Sequence, residues 1–204
     1  MSVALPLVYL ARHGATAWSF AGQHTGRTDE PLPAPGEADV GGVAARLAGG
    51  AFAQVLVSPS QRARRTCELA GYGARAAVDP DLAEWDYGAY EGMTTAEILA
   101  RRPGWVLFRD GCPEGEAPAD VAARADRLIA RVRAVAGNVL LFSSAHILRT
   151  IAARWLGLDA GGGRHFLLGT ASVSVLGYEH DATQPVIRSW NDAAPPLAMR
   201  AGTA

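Results

Sequence analysis

The chain has 204 residues, of which 49% are hydrophobic and 19% are charged, and its formal net charge is −1. A chain of this length can bury a hydrophobic core without disulfide bonds, and its composition is not that of a disordered segment. The balanced charge excludes a surface that is basic throughout, so nucleic acid is not expected as a partner.

Cysteine content and hydropathy bear on location. Cys67 and Cys112 are the only cysteines. Two isolated cysteines predict no disulfide framework and favour a reducing, cytoplasmic environment. Residues 1–10 are apolar but lack a positively charged leader, so they indicate a strand and not a signal peptide. No stretch is apolar for long enough to cross a bilayer, so we expect no membrane partner.

The first half of the chain alternates short apolar runs with helical patterns. Residues 5–11 combine β-branched, aromatic and aliphatic side chains and end abruptly at a polar segment, as a buried strand does. Pro35 and Gly36 open the first long helical pattern, which ends before Gly49. The elements that follow are predicted to be a strand at 54–57, a helix at 61–70 and a strand at 76–78.

The second half continues this alternation. Thr94 and Glu97 have the spacing of a capping box and start a helix. Residues 111–119 are rich in Gly and Pro and predict a loop, and apolar residues at helical spacing then predict the longest helix over 121–135. The last predicted elements are a strand at 139–142, a helix over 147–155, and a hairpin with strands around 173–175 and 185–190.

Strands that alternate with helices predict an α/β fold. We expect a three-layer sandwich with a mostly parallel central sheet, helices on both faces, and an antiparallel edge formed by the final hairpin. The chain has no repeat, low-complexity tract or internal linker. We therefore expect residues 1–204 to form a single domain, acting as a monomer or a homodimer.

Three of the predicted strands end in polar residues suited to an anion. Arg12 and His13 follow the first strand, Arg62 follows the second, and Ser144 follows the fourth. Ligands of open α/β sheets bind outside the carboxyl ends of the strands, where the amides at helix N-termini favour negative charge. The topology therefore predicts an anion site at this edge, but not its chemistry.

Each of these residues also has an ordinary structural interpretation when it is considered alone. A histidine after a strand is more often a loop residue than a nucleophile. Arg62 has Arg64 and Arg65 close by in the sequence, and such runs usually form a solvated basic face. Glu84 could equally be a surface carboxylate. The case for a functional site depends on their joint arrangement.

Several blocks of the sequence resemble signatures of the histidine phosphatase superfamily, which includes phosphoglycerate mutase-like proteins. Residues 10–16 (LARHGAT) resemble its strand-ending R-H-G-x-T, residues 58–66 resemble S-x-x-x-R-A-x-x-T, and residues 82–92 resemble L-x-E-x-x-x-G-x-x-E-G. The blocks occur in the family's order, and the correspondence extends from about residue 7 to 178. Further matches lie at residues 24–29, 35–36 and 111–116.

The resemblance implies a reaction through a phosphohistidine. His13 would attack a phosphate ester, while Arg12 and Arg62 would bind the phosphoryl oxygens. Glu84 would donate a proton to the leaving oxygen and later accept one from water. The scheme requires no metal and no other cofactor, and the five histidines show no metal-ligand spacing.

The sequence departs from the family after the fourth strand, where S-H-G-x-x-x-R is usual. With Arg149 as the arginine, Ser144 stands at the second histidine and Ala145 at the glycine, while His146 occupies a position where some members carry an additional histidine. The protein is then an altered enzyme, an enzyme in which His146 compensates, or a natively weakened or non-catalytic protein. We expect Ser144 and His146 to contact phosphate, with His146 pointing in a different direction.

The expected function is that of a phosphomonoester phosphatase acting on a small phosphorylated metabolite, weakened if Ser144 cannot replace a histidine. Ser19, Thr25 and Gly26 are the expected contacts to the rest of the substrate. One alternative is a phosphoglycerate-type mutase, although the short segment between residues 92 and 118 favours hydrolysis. The other alternative is a non-catalytic protein that binds a phosphorylated ligand.

Overall fold

A computed structural model describes residues 5–193 of the chain. Six strands form one sheet, and they are β1 (Val8–Arg12), β2 (Gln54–Val57), β3 (Ala76–Val78), β4 (Val139–Ser143), β5 (Val173–Tyr178) and β6 (Pro185–Asp192). The α-helices are α1 (Ala17–Ala21), α2 (Ala34–Leu47), α3 (Gln61–Leu69), α4 (Thr95–Arg101), α5 (Leu107–Asp110), α6 (Pro118–Arg133) and α7 (Ala145–Trp155).

The sheet has the strand order β3-β2-β4-β1-β5-β6. The four strands from β3 to β1 are parallel, whereas β5 and β6 are antiparallel to their neighbours. Arg12 at the end of β1 pairs with Ser143 at the end of β4, and Val57 at the end of β2 pairs with Phe142. The carboxyl ends of these three strands therefore meet at one edge, and the predicted α/β fold with an antiparallel edge is confirmed.

The two faces of the sheet pack against different helices because strand residues alternate in direction. On one face, Leu10 and Leu141 belong to a core cluster that includes residues of α6 and α7. On the other face, Ala11 and Phe142 belong to a cluster with residues of α2 and α3. This arrangement is the predicted three-layer sandwich.

Some predicted boundaries were wrong for identifiable reasons. The first strand begins at Val8 and not at residue 5, and Pro6 within the predicted strand has no amide hydrogen to donate to a ladder. Helix α6 begins at Pro118, inside the predicted loop 111–119, because proline suits the first turn of a helix and Asp120 accepts a hydrogen bond from the Ala117 amide. The capping box of Thr94 and Glu97 is present at the start of α4.

The short helices α1 and α5 were not predicted, since four or five residues give no readable periodicity. Both cysteines are free and buried. Within the described part of the chain, no helix is long and apolar enough to cross a membrane.

Candidate active site

His13 lies at the carboxyl edge of the sheet, immediately after β1. Its amide donates to the carbonyl oxygen of Ser143 at 3.0 Å, and its carbonyl accepts from the amide of Ala171 at 2.9 Å. These two bonds join the residue to β4 on one side and to the segment before β5 on the other. The backbone of His13 is therefore fixed from both sides.

The imidazole of His13 is buried and has a defined tautomer. Nδ1 lies 2.7 Å from the carbonyl oxygen of Gly14. A carbonyl oxygen can only accept, so Nδ1 carries the proton and Nε2 keeps its lone pair. Burial, together with the positive charges of Arg62 and Arg12, holds the pKa of His13 well below its usual value. The ring is therefore a neutral imidazole with an available lone pair at neutral pH.

The loop after β1 is packed tightly against α2 and α3. Gly14 and Gly36 lie where the two loops touch. A Cβ on Gly14 would overlap the carbonyl oxygen of Gly36, and a Cβ on Gly36 would overlap the carbonyl oxygen of Ala15. The amide of Gly14 donates to Thr66 Oγ1 at 3.1 Å, and this hydroxyl donates to the carbonyl of Arg62 at 2.8 Å. The matched glycines and threonine thus join three elements around His13.

Arg12 is partly buried beside His13. Its Nη1 donates to the carbonyl oxygen of Leu168 at 2.5 Å, and its Nε is shielded from solvent without a hydrogen-bond partner. Burial lowers the pKa of Arg12 to about 10, which the negative charge of Glu84 partly opposes. The group therefore remains a cation at neutral pH.

Arg62 is 0% exposed and is held by backbone carbonyls. Nη1 donates to Thr28 at 3.0 Å, and Nη2 donates to Thr25 at 3.0 Å and to Gly26 at 3.2 Å. Its Nε is buried without a partner. Among residues 5–193, no carboxylate forms an ion pair with Arg62 or with Arg12. Their positive charges are not neutralised by the protein.

The loop that carries these carbonyls is fastened by Glu91. Oε1 of Glu91 accepts from the amides of Gly26 at 2.8 Å and Thr28 at 3.0 Å. The amides of the loop therefore face a carboxylate, while its carbonyls face the guanidinium of Arg62. Glu91 lies within the matched block 82–92 but was not predicted to be a site residue.

Glu84 lies in the segment after β3 and is buried against the N-terminus of α7. Oε1 accepts from the amides of Trp85 and Ile147, and Oε2 accepts from the amide of His146, all at 2.9 Å. Ser144 is the N-cap residue of α7 but makes no side-chain capping bond, so Glu84 supplies the negative charge that a helix N-terminus favours. Oε2 has only one amide donor and retains a lone pair that can hold a proton.

His146 forms the wall of the site together with two aromatic rings. Its Nδ1 lies 2.6 Å from the hydroxyl of Tyr87 and 3.8 Å from Oε2 of Glu84. The ring is stacked on that of His24, with centroids 6.0 Å apart and planes at 9°. His24 is fixed in turn, since its Nδ1 lies 2.8 Å from the carbonyl oxygen of Met93.

The structure brings most of the predicted site residues to one cavity of about 220 Å³. Arg62 and Ser144 are buried outside its lining, and Gly26 lines an adjacent cavity that Glu84 also reaches. The predicted residues that line the first cavity are Arg12, His13, Ser19, Thr25, Glu84 and His146.

Five further lining residues were not predicted. His24 and Tyr87 lie inside the matched blocks 24–29 and 82–92, so the blocks contained a usable signal for them. No sequence signal marked the others, which are Gly22, Gln23 and Thr95. Throughout residues 5–193, no three His, Cys, Asp or Glu side chains are grouped as a metal site would require.

The comparison of the whole sequence with known families decides the relationship. The family model of the histidine phosphatase superfamily (branch 1) matches residues 8–193 of the chain. The chain belongs to this superfamily. It is similar to an acid phosphatase of Mycobacterium tuberculosis, with 37% identity over 198 residues that cover 93% of this chain and 95% of the relative.

Two further comparisons give similar results. A sedoheptulose 1,7-bisphosphatase of Saccharomyces cerevisiae is 36% identical over 189 residues, covering 75% of this chain and 68% of the relative. The solved structure of a Mycobacterium tuberculosis open reading frame product superimposes with a TM-score of 0.87 at 35% identity, covering 92% of this chain and 98% of that one. This histidine phosphatase therefore has phosphatases among its relatives.

The imidazoles of His13, which is buried, and of His146, which is partly buried, predict that acid destabilises the fold. Burial also lowers the pKa of His146, and the charges of Arg149 and Arg12 add to this effect. The folded-state pKa of His13 and of His146 lies below the unfolded value of about 6.5, so the unfolded state binds protons first as the pH falls. Stability present above pH 6.5 should decline below it, by about 1.4 kcal/mol per pH unit for each histidine.

Urea unfolding between pH 7.5 and 5.5 measures this slope. His13→Gln should reduce it, whereas His180→Gln should leave it unchanged because His180 is exposed. An unchanged slope in His13→Gln would contradict the assigned protonation.

The contacts of Glu91 predict that it supports the site through Arg62. Glu91→Ala removes both anchors of the loop, and a displaced guanidinium should lower kcat/KM by about tenfold or more. Glu91→Gln should stay within about threefold, because its amide oxygen can accept both bonds. Steady-state kinetics on the two variants, with Glu68→Ala as an exposed control, makes the comparison. Equal losses in Glu91→Ala and Glu91→Gln would show that the charge of Glu91 matters and not its hydrogen bonds.

Proposed function

We propose that this histidine phosphatase hydrolyses a small phosphorylated metabolite through a phosphohistidine on His13. The observation that carries the proposal is the state of His13, a buried imidazole with its proton on Nδ1 and with the cations Arg12 and Arg62 nearby. A nucleophile with a free lone pair beside uncompensated positive charge is suited to a phosphoryl dianion. The similarity to an acid phosphatase and a sugar bisphosphatase supports the same reaction class.

In the first step, Nε2 of His13 forms a bond to phosphorus as the bond from phosphorus to the ester oxygen breaks. Arg12 and Arg62 bind the phosphoryl oxygens, and each has a buried Nε–H without a protein acceptor. His146 contributes a further contact to the phosphoryl group, whereas Ser144, predicted to do the same, lies outside the lining of the cavity. These donors stabilise charge on the oxygens in the transition state.

Glu84 exchanges the proton. Its Oε2 donates a proton to the departing ester oxygen and later accepts one from the water that attacks the phosphohistidine. The products are the dephosphorylated alcohol and inorganic phosphate, and His13 regains its lone pair. The three amides that hold the carboxylate keep it in place between the two steps.

The rest of the substrate is proposed to contact Ser19, Thr25 and Gly26. Ser19 and Thr25 line the cavity of His13, and Gly26 lies beside it. Neither a metal ion nor nucleic acid has a part in this scheme. Two free, buried cysteines support a reducing, cytoplasmic location.

A second candidate is a protein that binds a phosphorylated ligand without turnover. The observation that favours it is Ser144, whose hydroxyl is buried without a partner at the position of the second histidine. This candidate keeps the cations and loses part of the transition-state stabilisation. A test for the covalent intermediate separates the two.

Incubation with a ³²P-labelled phosphomonoester and rapid quenching should trap phosphate on His13. The label should be acid-labile and stable in alkali, and His13→Ala should abolish it while His180→Ala should not. Release of inorganic phosphate supports a phosphatase, whereas transfer to another hydroxyl of the substrate supports a mutase. Binding of phosphate without label or turnover would favour the non-catalytic candidate, and label on another residue would overturn the assignment.

Glu84→Gln should slow phosphorylation of His13 according to the leaving group. An alkyl phosphate needs a proton on its leaving oxygen, so its rate should fall by about 10²-fold or more. p-Nitrophenyl phosphate leaves as a stable phenolate and should lose much less. Single-turnover rates for both substrates test this, with Glu179→Gln as an exposed control. Equal losses for both would show that Glu84 is structural.

A further inference from the structure

Tyr87 and His146 share a short hydrogen bond in the wall of the cavity that contains His13. Building on the phosphatase function proposed above, we infer that Tyr87 is a positioning residue that fixes His146 with its proton on Nε2. That N–H then donates to the transferring phosphoryl group, in place of the histidine usual at position 144.

The direction of the hydrogen bond follows from the needs of the phenol. Tyr87 is 1% exposed, and its hydroxyl lies 2.6 Å from Nδ1 of His146. If Nδ1 carried the proton and donated, the phenol hydrogen would have no acceptor among residues 5–193, which is unfavourable for a side chain that is 1% exposed. If the phenol donates to Nδ1, both groups are satisfied and the ring proton is on Nε2.

The charges around the ring support the same assignment. Burial raises the pKa of Tyr87 well above its usual value, so the phenol keeps its proton. Burial and the charge of Arg149 lower the pKa of His146, so the ring carries one proton and not two. Glu84 Oε2, at 3.8 Å from Nδ1, would otherwise attract a proton to that nitrogen. Tyr87 therefore decides between the two tautomers.

The ring of His146 is also held in orientation. Its backbone amide donates to Glu84, and its ring packs against the tilted ring of Phe108 at 5.5 Å and the stacked ring of His24 at 6.0 Å between centroids. The side chain is 22% exposed, and since Nδ1 is occupied by Tyr87, Nε2 is the nitrogen free to face the cavity. A donor held in this way needs little rearrangement when charge develops.

Ser144 does not supply this donor. It is 1% exposed, its Oγ has no partner, and it is not part of the cavity lining, whereas His146 is. The segment after β4 therefore reaches the cavity through His146. The shift of two residues brings the imidazole against Tyr87.

A pair of substitutions separates the donor role from a packing role. Asparagine at 146 can keep a contact with Tyr87 but has no group at the position of Nε2, whereas the amide nitrogen of glutamine can reach that position. His146→Asn should lower kcat about 100-fold with KM changed less than about threefold. His146→Gln should lower kcat only about tenfold. His180→Gln is the exposed control.

Tyr87→Phe tests the tautomer directly. In ¹⁵N-labelled protein at pH 7.5, His146 should show a protonated Nε2 and an unprotonated Nδ1, with its signals assigned by their loss in His146→Asn. Tyr87→Phe should move proton to Nδ1, toward Glu84, and should lower kcat about tenfold. A role in packing alone would not change the imidazole nitrogen signals in this way.

Each outcome decides the inference. The predicted tautomer with His146→Gln more active than His146→Asn supports it. A proton on Nδ1 in the unaltered protein, or His146→Asn as active as His146→Gln, overturns it while the phosphohistidine on His13 still forms. If the unaltered protein forms no phosphohistidine, the proposed function fails and the inference fails with it.

Discussion

The arrangement of the site depends on positive charge that the protein itself leaves without a counter-charge. Arg62 is fully buried and Arg12 is partly buried, yet each is held by backbone carbonyls and not by a carboxylate. Carbonyl oxygens satisfy the N–H groups without neutralising the charge. A buried cation without an anion is unfavourable, and a phosphoryl dianion relieves this. Burial and these same positive charges lower the pKa of His13 and keep its imidazole unprotonated, so the arginines favour both the proposed phosphate binding and the proposed nucleophilic attack.

The fold keeps the carboxylates near these cations but engaged elsewhere. Glu91 binds the amide side of the loop whose carbonyls hold Arg62. Glu84 binds three amides at and near the start of α7, and its charge reaches Arg12 only through space. If either carboxylate paired with an arginine, the attraction for phosphate would fall. The backbone amides thus hold the carboxylates of Glu91 and Glu84, while backbone carbonyls hold the arginines, so neither carboxylate forms a direct ion pair with Arg62 or Arg12.

The sequence predicted the layers of the fold and the edge at which the site lies, because both follow from local patterns. Apolar runs, a capping box and the polar ends of strands are readable within a few residues, and parallel strands place their ends together. The predicted boundaries were wrong where backbone hydrogen bonding sets the start of a strand or helix, as at Pro6 and Pro118. The contact between Tyr87 and His146 joins residues 59 apart in sequence, and no local pattern specifies it. The placement of Ser144 outside the cavity lining could not be predicted either, since register in sequence does not give side-chain direction.

The neutral donor proposed at His146 would have consequences for both halves of the proposed reaction. A protonated histidine beside the phosphoryl group would add a third positive charge to those of Arg12 and Arg62, and would bind both the transition state and inorganic phosphate more tightly. An imidazole held by Tyr87 contributes a directed hydrogen bond without that charge. A neutral donor stabilises the transition state less than a charged one. It also binds the product phosphate less tightly, and this raises the turnover rate where phosphate release is the slow step. A serine at position 144 is therefore compatible with an enzyme, provided that the donor proposed at His146 is held in the correct tautomer.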